Sequence, residues 1–151
     1  MNLNKVPDNE IREEFISRFK KVEGAKLKST KDTANHVIAF FQELDMTKEN
    51  FVVIYLDNQL AIIDSQALFV GTINSAAVYP RTIIENVISK GANGVILAHN
   101  HPSGETSPSS PDRNVTAKIN TALSSIDVDL LDHIIVGKGC DFTSFADMML
   151  L

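Results

Sequence analysis

The five residues Gly94-Val-Ile-Leu-Ala98 make an apolar run without a polar interruption, and a strand of that kind has to be covered on both faces. Helices must therefore flank the sheet that contains it, and the rest of the chain supplies them. Residues 9–20 carry Ile11, Phe15 and Phe19 on one helical stripe, with Asp8 placed to cap it. A second helix starts at Ser29-Thr-Lys-Asp32 and turns Ala34, Val37, Ile38, Phe41 and Leu44 to the core. A third opens at Pro80, a residue suited to the first helical position, and directs Ile83, Ile84, Val87 and Ile88 inward before Gly91 stops it. A fourth is predicted over 112–125.

Strand formers fill 51–56 and 60–63, and Asp57-Asn58 between them predicts a hairpin. Further strands are expected at 67–72 and 130–136, and the tail beyond Cys140 has room for a short strand and a turn of helix. This order describes an α/β (α+β) domain of three layers around a mixed central sheet, with parallel and antiparallel pairings both open. A chain of 151 residues, 44% hydrophobic, suits one such domain. We place it at 29–151, preceded by an N-terminal helical extension over 1–28.

Several function classes are disfavoured. A formal net charge of −5 gives no global positive field to hold a phosphate backbone. Lys20, Lys21, Lys26, Lys28 and Lys31 form a local basic run, but Glu23 and Asp32 interrupt it, which reads as a solvated face. Direct DNA binding is thus weakly supported. No apolar run approaches the ~20 residues a membrane span needs. The N-terminus has no signal-like core and the single cysteine, Cys140, cannot pair within the chain, so a cytoplasmic location is expected and Cys140 is expected to pack. No G-x-G-x-x-G or P-loop pattern is present.

The chemistry concentrates where the apolar strand meets the loop. In extended backbone, residues two apart project from the same face about 6.6 Å apart. His99 and His101 can therefore bring two imidazole nitrogens to one point. Asp112 follows at the start of the next helix, after a loop long enough to fold back, and completes a set of two histidines and a carboxylate. A catalytic zinc site takes three such protein ligands and keeps a further position for water. That water needs a proton acceptor, and Glu49, just ahead of the strand at 51–56, is a candidate. Ser109 can serve in two ways, as the cap of the helix through a Ser-x-x-Asp pattern or as a donor to a developing oxyanion. His36 and His133 read as structural residues.

The spacing His99-x-His101, seven residues, Ser109-x-x-Asp112 resembles the JAMM (JAB, MPN+) metalloprotease motif at every fixed position. The surrounding His99-Asn-His-Pro-Ser-Gly104, Leu68-Phe-x-Gly71-Thr72, Tyr79-Pro-Arg81 and Leu131-Asp-His-Ile-Ile-Val-Gly137 resemble its RadC branch, over about residues 30–147. The resemblance implies a JAB/MPN-like fold similar to that of cytidine deaminases, with Zn2+ held by His99, His101 and Asp112. It assigns the water-activating glutamate to Glu49, ahead of the helical Glu43 and Glu85, and the motif serine to Ser109. It also implies a peptide or protein substrate cleaved at a peptide or isopeptide amide. A second reading, from the same branch, is an accessory protein of DNA repair or of a mobile element that acts as a binding module, with DNA-repair or replication partners. Nuclease or deaminase chemistry at the same metal is a third, although the deaminase pattern P-C-x-x-C is absent.

Overall fold

Alternation along the strands sorts the core into two layers. In β1, Asn50–Leu56, every residue is buried. Phe51, Val53 and Tyr55 join one apolar cluster, while Val52, Ile54 and Leu56 join another on the opposite face. The central strand β3, Gly94–Asn100, repeats this division with Val95 and Leu97 on the first side and Ile96 and Ala98 on the second. These assignments come from a computed structural model, which describes residues 3–74 and 76–151.

The sheet has five strands in the order β2-β1-β3-β4-β5, the others being β2, Ile62–Val70, β4, Asp129–Val136, and β5, Phe142–Ser144. β1 runs antiparallel to both β2 and β3, β3 and β4 are parallel, and β5 returns antiparallel to β4. The sheet is thus mixed. Helix α4, Ser110–Ser124, makes the crossover that the parallel pair requires. With α3, Pro80–Lys90, it covers the first face through Ile83, Val87, Val115 and Ile119. Helix α2, Thr30–Phe41, covers the second through Val37, Ile38 and Phe41. The fold is α+β, with helices on both sides of the sheet.

The helix starts follow local chemistry. Ser29 caps α2 by accepting from the Asp32 N–H. Pro80 opens α3 and Gly91 ends it in the left-handed conformation, φ 67°.

Several expectations need correction. The two strands expected at 60–63 and 67–72 are one strand, β2, which begins at Ile62 and ends at Val70. Asp64, Ser65 and Gln66 look like a break, yet β2 lies at the sheet edge, where polar side chains reach solvent, and two irregularities in its register with β1 absorb the mismatch. Helix α1, Asp8–Phe19, starts after Pro7, and Asp8 is its first residue instead of its cap. The α1 stripe is only partly covered: Phe15 packs against the second cluster, but Ile11 and Phe19 stay more than a third exposed. Leu44 lies beyond the end of α2. Ile88 is 67% exposed, because the buried stripe of α3 is narrow. Cys140 is exposed, not packed. No helix among the described residues is long and apolar enough to cross a membrane.

Candidate metal centre

Strand register builds the site. Phe51 pairs with His99 across the antiparallel β1 and β3, and extending that register by two residues sets Glu49 opposite His101. On the other side His101 continues the parallel pairing, its N–H donating to the Val136 carbonyl at 2.9 Å. The chain then turns through 102–109 into α4. Close backbone approach fixes that turn: a Cβ on Gly137 would lie 2.4 Å from the Gly104 carbonyl oxygen, so only glycine fits at the end of β4.

At the head of α4, Ser109 and Asp112 form a reciprocal capping box. The Ser109 oxygen accepts from the Asp112 N–H at 3.1 Å, and Asp112 Oδ2 accepts from the Ser109 N–H at 2.8 Å. This turns the Asp112 carboxylate back over the strand end. His99 Nε2 lies 2.9 Å from His101 Nε2 and 3.1 Å from Asp112 Oδ1, and His101 Nε2 lies 3.1 Å from Asp112 Oδ2. A tetrahedral zinc with bonds of about 2.0–2.1 Å sets its ligand atoms about 3.3 Å apart. The donor set therefore fits a divalent metal, and His99, His101 and Asp112 together could hold one.

The Asp112 side chain is held in the ionised form that ligates a metal. Burial works to raise the Asp112 pKa, but hydrogen bonds with His101 and His99 and with the Ser109 N–H outweigh it and hold the carboxyl far below the ordinary range. Asp112 is a carboxylate at any working pH. Its hydrogen bond raises the His101 pKa against the opposing effect of burial. His101 Nδ1 lies 2.6 Å from the Glu105 carbonyl, which can only accept, so Nδ1 carries the proton and Nε2 is the nitrogen that faces the cluster.

Glu49 and Ser109 line the same cleft, of about 340 Å³, together with Thr72, Ile73, His101 and Asp112. The Glu49 carbonyl accepts from the Gly71 N–H at 2.9 Å and its Oε2 from the Ile73 N–H at 2.8 Å. Among the described residues no hydrogen bond engages Oε1. The structure thus brings all five predicted site residues to one place. Glu43 points elsewhere, paired with Lys20, and Glu85 lies on the exposed side of α3 with Arg81.

Two neighbours were not foreseen. Asn100, between the two histidines, is fully buried and turned to the other side of the sheet, where its Oδ1 accepts from the Asn50 N–H at 2.7 Å and its Nδ2 donates to the Lys48 carbonyl at 2.9 Å. It grips the backbone on both sides of Glu49. His133 is also fully buried, with Nε2 2.7 Å from His99 Nδ1, and it lies between the rings of Phe51 and Phe145. Burial, with His99 next to it, pushes its pKa well below the ordinary value, so its ring is neutral. A histidine within an apolar strand needs a buried partner, which was the available signal for His133.

Comparison with known proteins fits this geometry. The model of the RadC-like JAB domain family matches residues 27–150. The chain belongs to the RadC-like JAB domain family. Among curated relatives of this JAB domain, a UPF0758 protein of Aliivibrio salmonicida is 39% identical over 139 residues, 91% of this chain and 60% of the relative. One of Photobacterium profundum is 44% identical over 125 residues, 83% of this chain and 54% of the relative, and one of Pasteurella multocida is 45% identical over 104 residues, 69% and 46%. The chain thus spans between about half and three fifths of the length of these relatives.

Proposed function

We propose that the protein is a zinc-dependent hydrolase of the JAMM type, acting on a peptide or isopeptide amide of a peptide or protein substrate. One observation carries this reading: three metal-competent atoms lie about 3 Å apart, and two of their residues, His101 and Asp112, line a cleft together with Glu49 and Ser109. Zinc held by His99, His101 and Asp112 would supply Lewis-acid polarisation and a more acidic water. Glu49, anchored through Oε2, has no hydrogen bond to Oε1 among the described residues, and Oε1 would take the proton from the attacking water and return it to the leaving amine. The Ser109 oxygen accepts from the Asp112 N–H, so its own proton is available to a developing oxyanion. Cap and donor are compatible roles for one hydroxyl.

Elemental analysis of the purified protein, followed by cleavage of peptide and isopeptide libraries with and without chelator, tests the proposal. Zinc at one per chain, chelator-sensitive cleavage, and a Glu49→Gln variant that keeps zinc but loses about 10²–10⁴-fold in turnover are expected. Failure to take up zinc overturns the metal assignment. Stoichiometric zinc with no cleavage of any amide overturns the hydrolase reading and favours an accessory role with DNA-repair or replication partners.

A further inference from the structure

A histidine can ligate through Nε2 only when the proton of its neutral ring sits on Nδ1, and the partner of Nδ1 decides that. For His101 the partner is a carbonyl. For His99 it is another imidazole, His133 Nε2, which by itself could donate or accept. The direction is settled one step further away. His133 Nδ1 lies 2.6 Å from Thr116 Oγ1, and Thr116 Oγ1 lies 2.7 Å from the Asp112 backbone carbonyl. That carbonyl can only accept, so the single hydroxyl proton of Thr116 points to it. Thr116 must then accept from His133 Nδ1–H. With its proton on Nδ1, His133 offers a bare Nε2, which accepts from His99 Nδ1–H.

We propose that Thr116 and His133 form a positioning relay that keeps a proton on His99 Nδ1 and so reserves Nε2, the nitrogen facing Asp112 and His101, for the metal. The relay begins and ends on α4 residue Asp112, whose carbonyl starts it and whose carboxylate lies 3.1 Å from the nitrogen it prepares. Thr116, His133 and His99 are all buried, and Phe51 and Phe145 enclose the His133 ring, so water does not offer alternative partners. The purpose given to the relay rests on the metal reading above, whereas the tautomer itself does not.

The two are tested separately on the whole 151-residue chain. Long-range nitrogen–proton spectra of ¹⁵N-histidine-labelled, metal-free protein at about pH 8 report which nitrogen of each ring is protonated. The expected result is a proton on Nδ1 of both His99 and His133 and none on His133 Nε2. Thr116→Val, which keeps shape but removes the acceptor, should move the His133 proton to Nε2 and weaken zinc binding about 10–100-fold in chelator competition. Thr116→Ser should restore both. A wild-type His133 protonated at Nε2, or a Thr116→Val protein with unchanged tautomers and zinc affinity, overturns the relay. The wild-type spectrum decides even if Thr116→Val fails to fold. Wild-type protein that binds no zinc overturns the metal reading and leaves the tautomer measurement standing.

Discussion

Replacing Asn100 by alanine should damage the site without touching a ligand. Its side chain accepts from the Asn50 N–H and donates to the Lys48 carbonyl, the residues on either side of Glu49. Lys48 retains a second donor, Asn50 Nδ2 at 3.0 Å, so the truncation orphans chiefly the Asn50 N–H. An orphaned buried donor costs about 1–3 kcal/mol, and the lost side-chain atoms leave a small void at a fully buried position. The sum is about 3 kcal/mol. In a domain of this size each kcal/mol shifts Tm by about 2–4 °C, so a fall of roughly 6–12 °C is expected. Calorimetry of wild type, Asn100→Ala and Asn100→Asp measures it. Asn100→Asp keeps the acceptor for Asn50 but faces the Lys48 carbonyl with a buried charge, so it should not rescue. Because His99, His101 and Asp112 are untouched, zinc content should stay at the wild-type level while turnover falls at least tenfold with the displaced Glu49. A Tm within 2 °C of wild type would refute the assigned hydrogen bonds. A normal loss of stability with full turnover would refute the link from Asn100 to Glu49.

Two further outcomes follow from caps and titration. Ser109→Ala should lower stability by about 1 kcal/mol through loss of the α4 cap, whereas Ser109→Asp should restore stability but not turnover, because aspartate caps well yet brings no hydroxyl proton; full turnover in Ser109→Ala would leave the serine a cap alone. His36 Nδ1 accepts from the Lys21 N–H, and burial, reinforced by Lys20 and Lys21 and only partly opposed by Asp32, lowers its pKa from 6.5 to about 4. The folded state therefore favours the neutral ring, with its stabilisation complete above pH 6.5 and lost as pH falls toward 4, a change of about 2.5 kcal/mol by pH 4.5. Urea titrations of wild type and His36→Asn at pH 8 and 4.5 should differ in pH dependence by that amount, and equal dependence would place the titration elsewhere.

How legible the chain is depends on whether a feature is local. Ser29, Pro80, Gly91 and the Ser109 capping box act within a few residues of themselves, and the helix starts and stops follow from them. The apolar run at 94–98 requires cover on both faces, and it has that cover. Strand pairing is not local. Nothing between 60 and 72 states that the segment lies at a sheet edge, and so Asp64-Ser65-Gln66 reads as a break in what is one strand. The same limit hid His133. Its contact with His99 depends on the parallel register that sets Leu97 beside His133, thirty-six residues further along the chain.

That register also explains why the short pattern His99-Asn100-His101 is sufficient to organise the cleft. Alternation sends the two histidines to the side where α4 presents Asp112 and sends Asn100 to the opposite side, where the chain enters β1. Two faces of one strand end thus carry separate duties. One face gathers the metal-competent atoms, and the other holds the backbone that carries Glu49 into the cleft. The segment His99-Asn100-His101 thus links the placement of the candidate metal ligands to that of Glu49. Sliding β3 by a single residue against β1 would exchange the faces, withdraw both imidazoles and release the Glu49 loop together. The buried, fully paired position of β3 at the centre of the sheet is what prevents that slip.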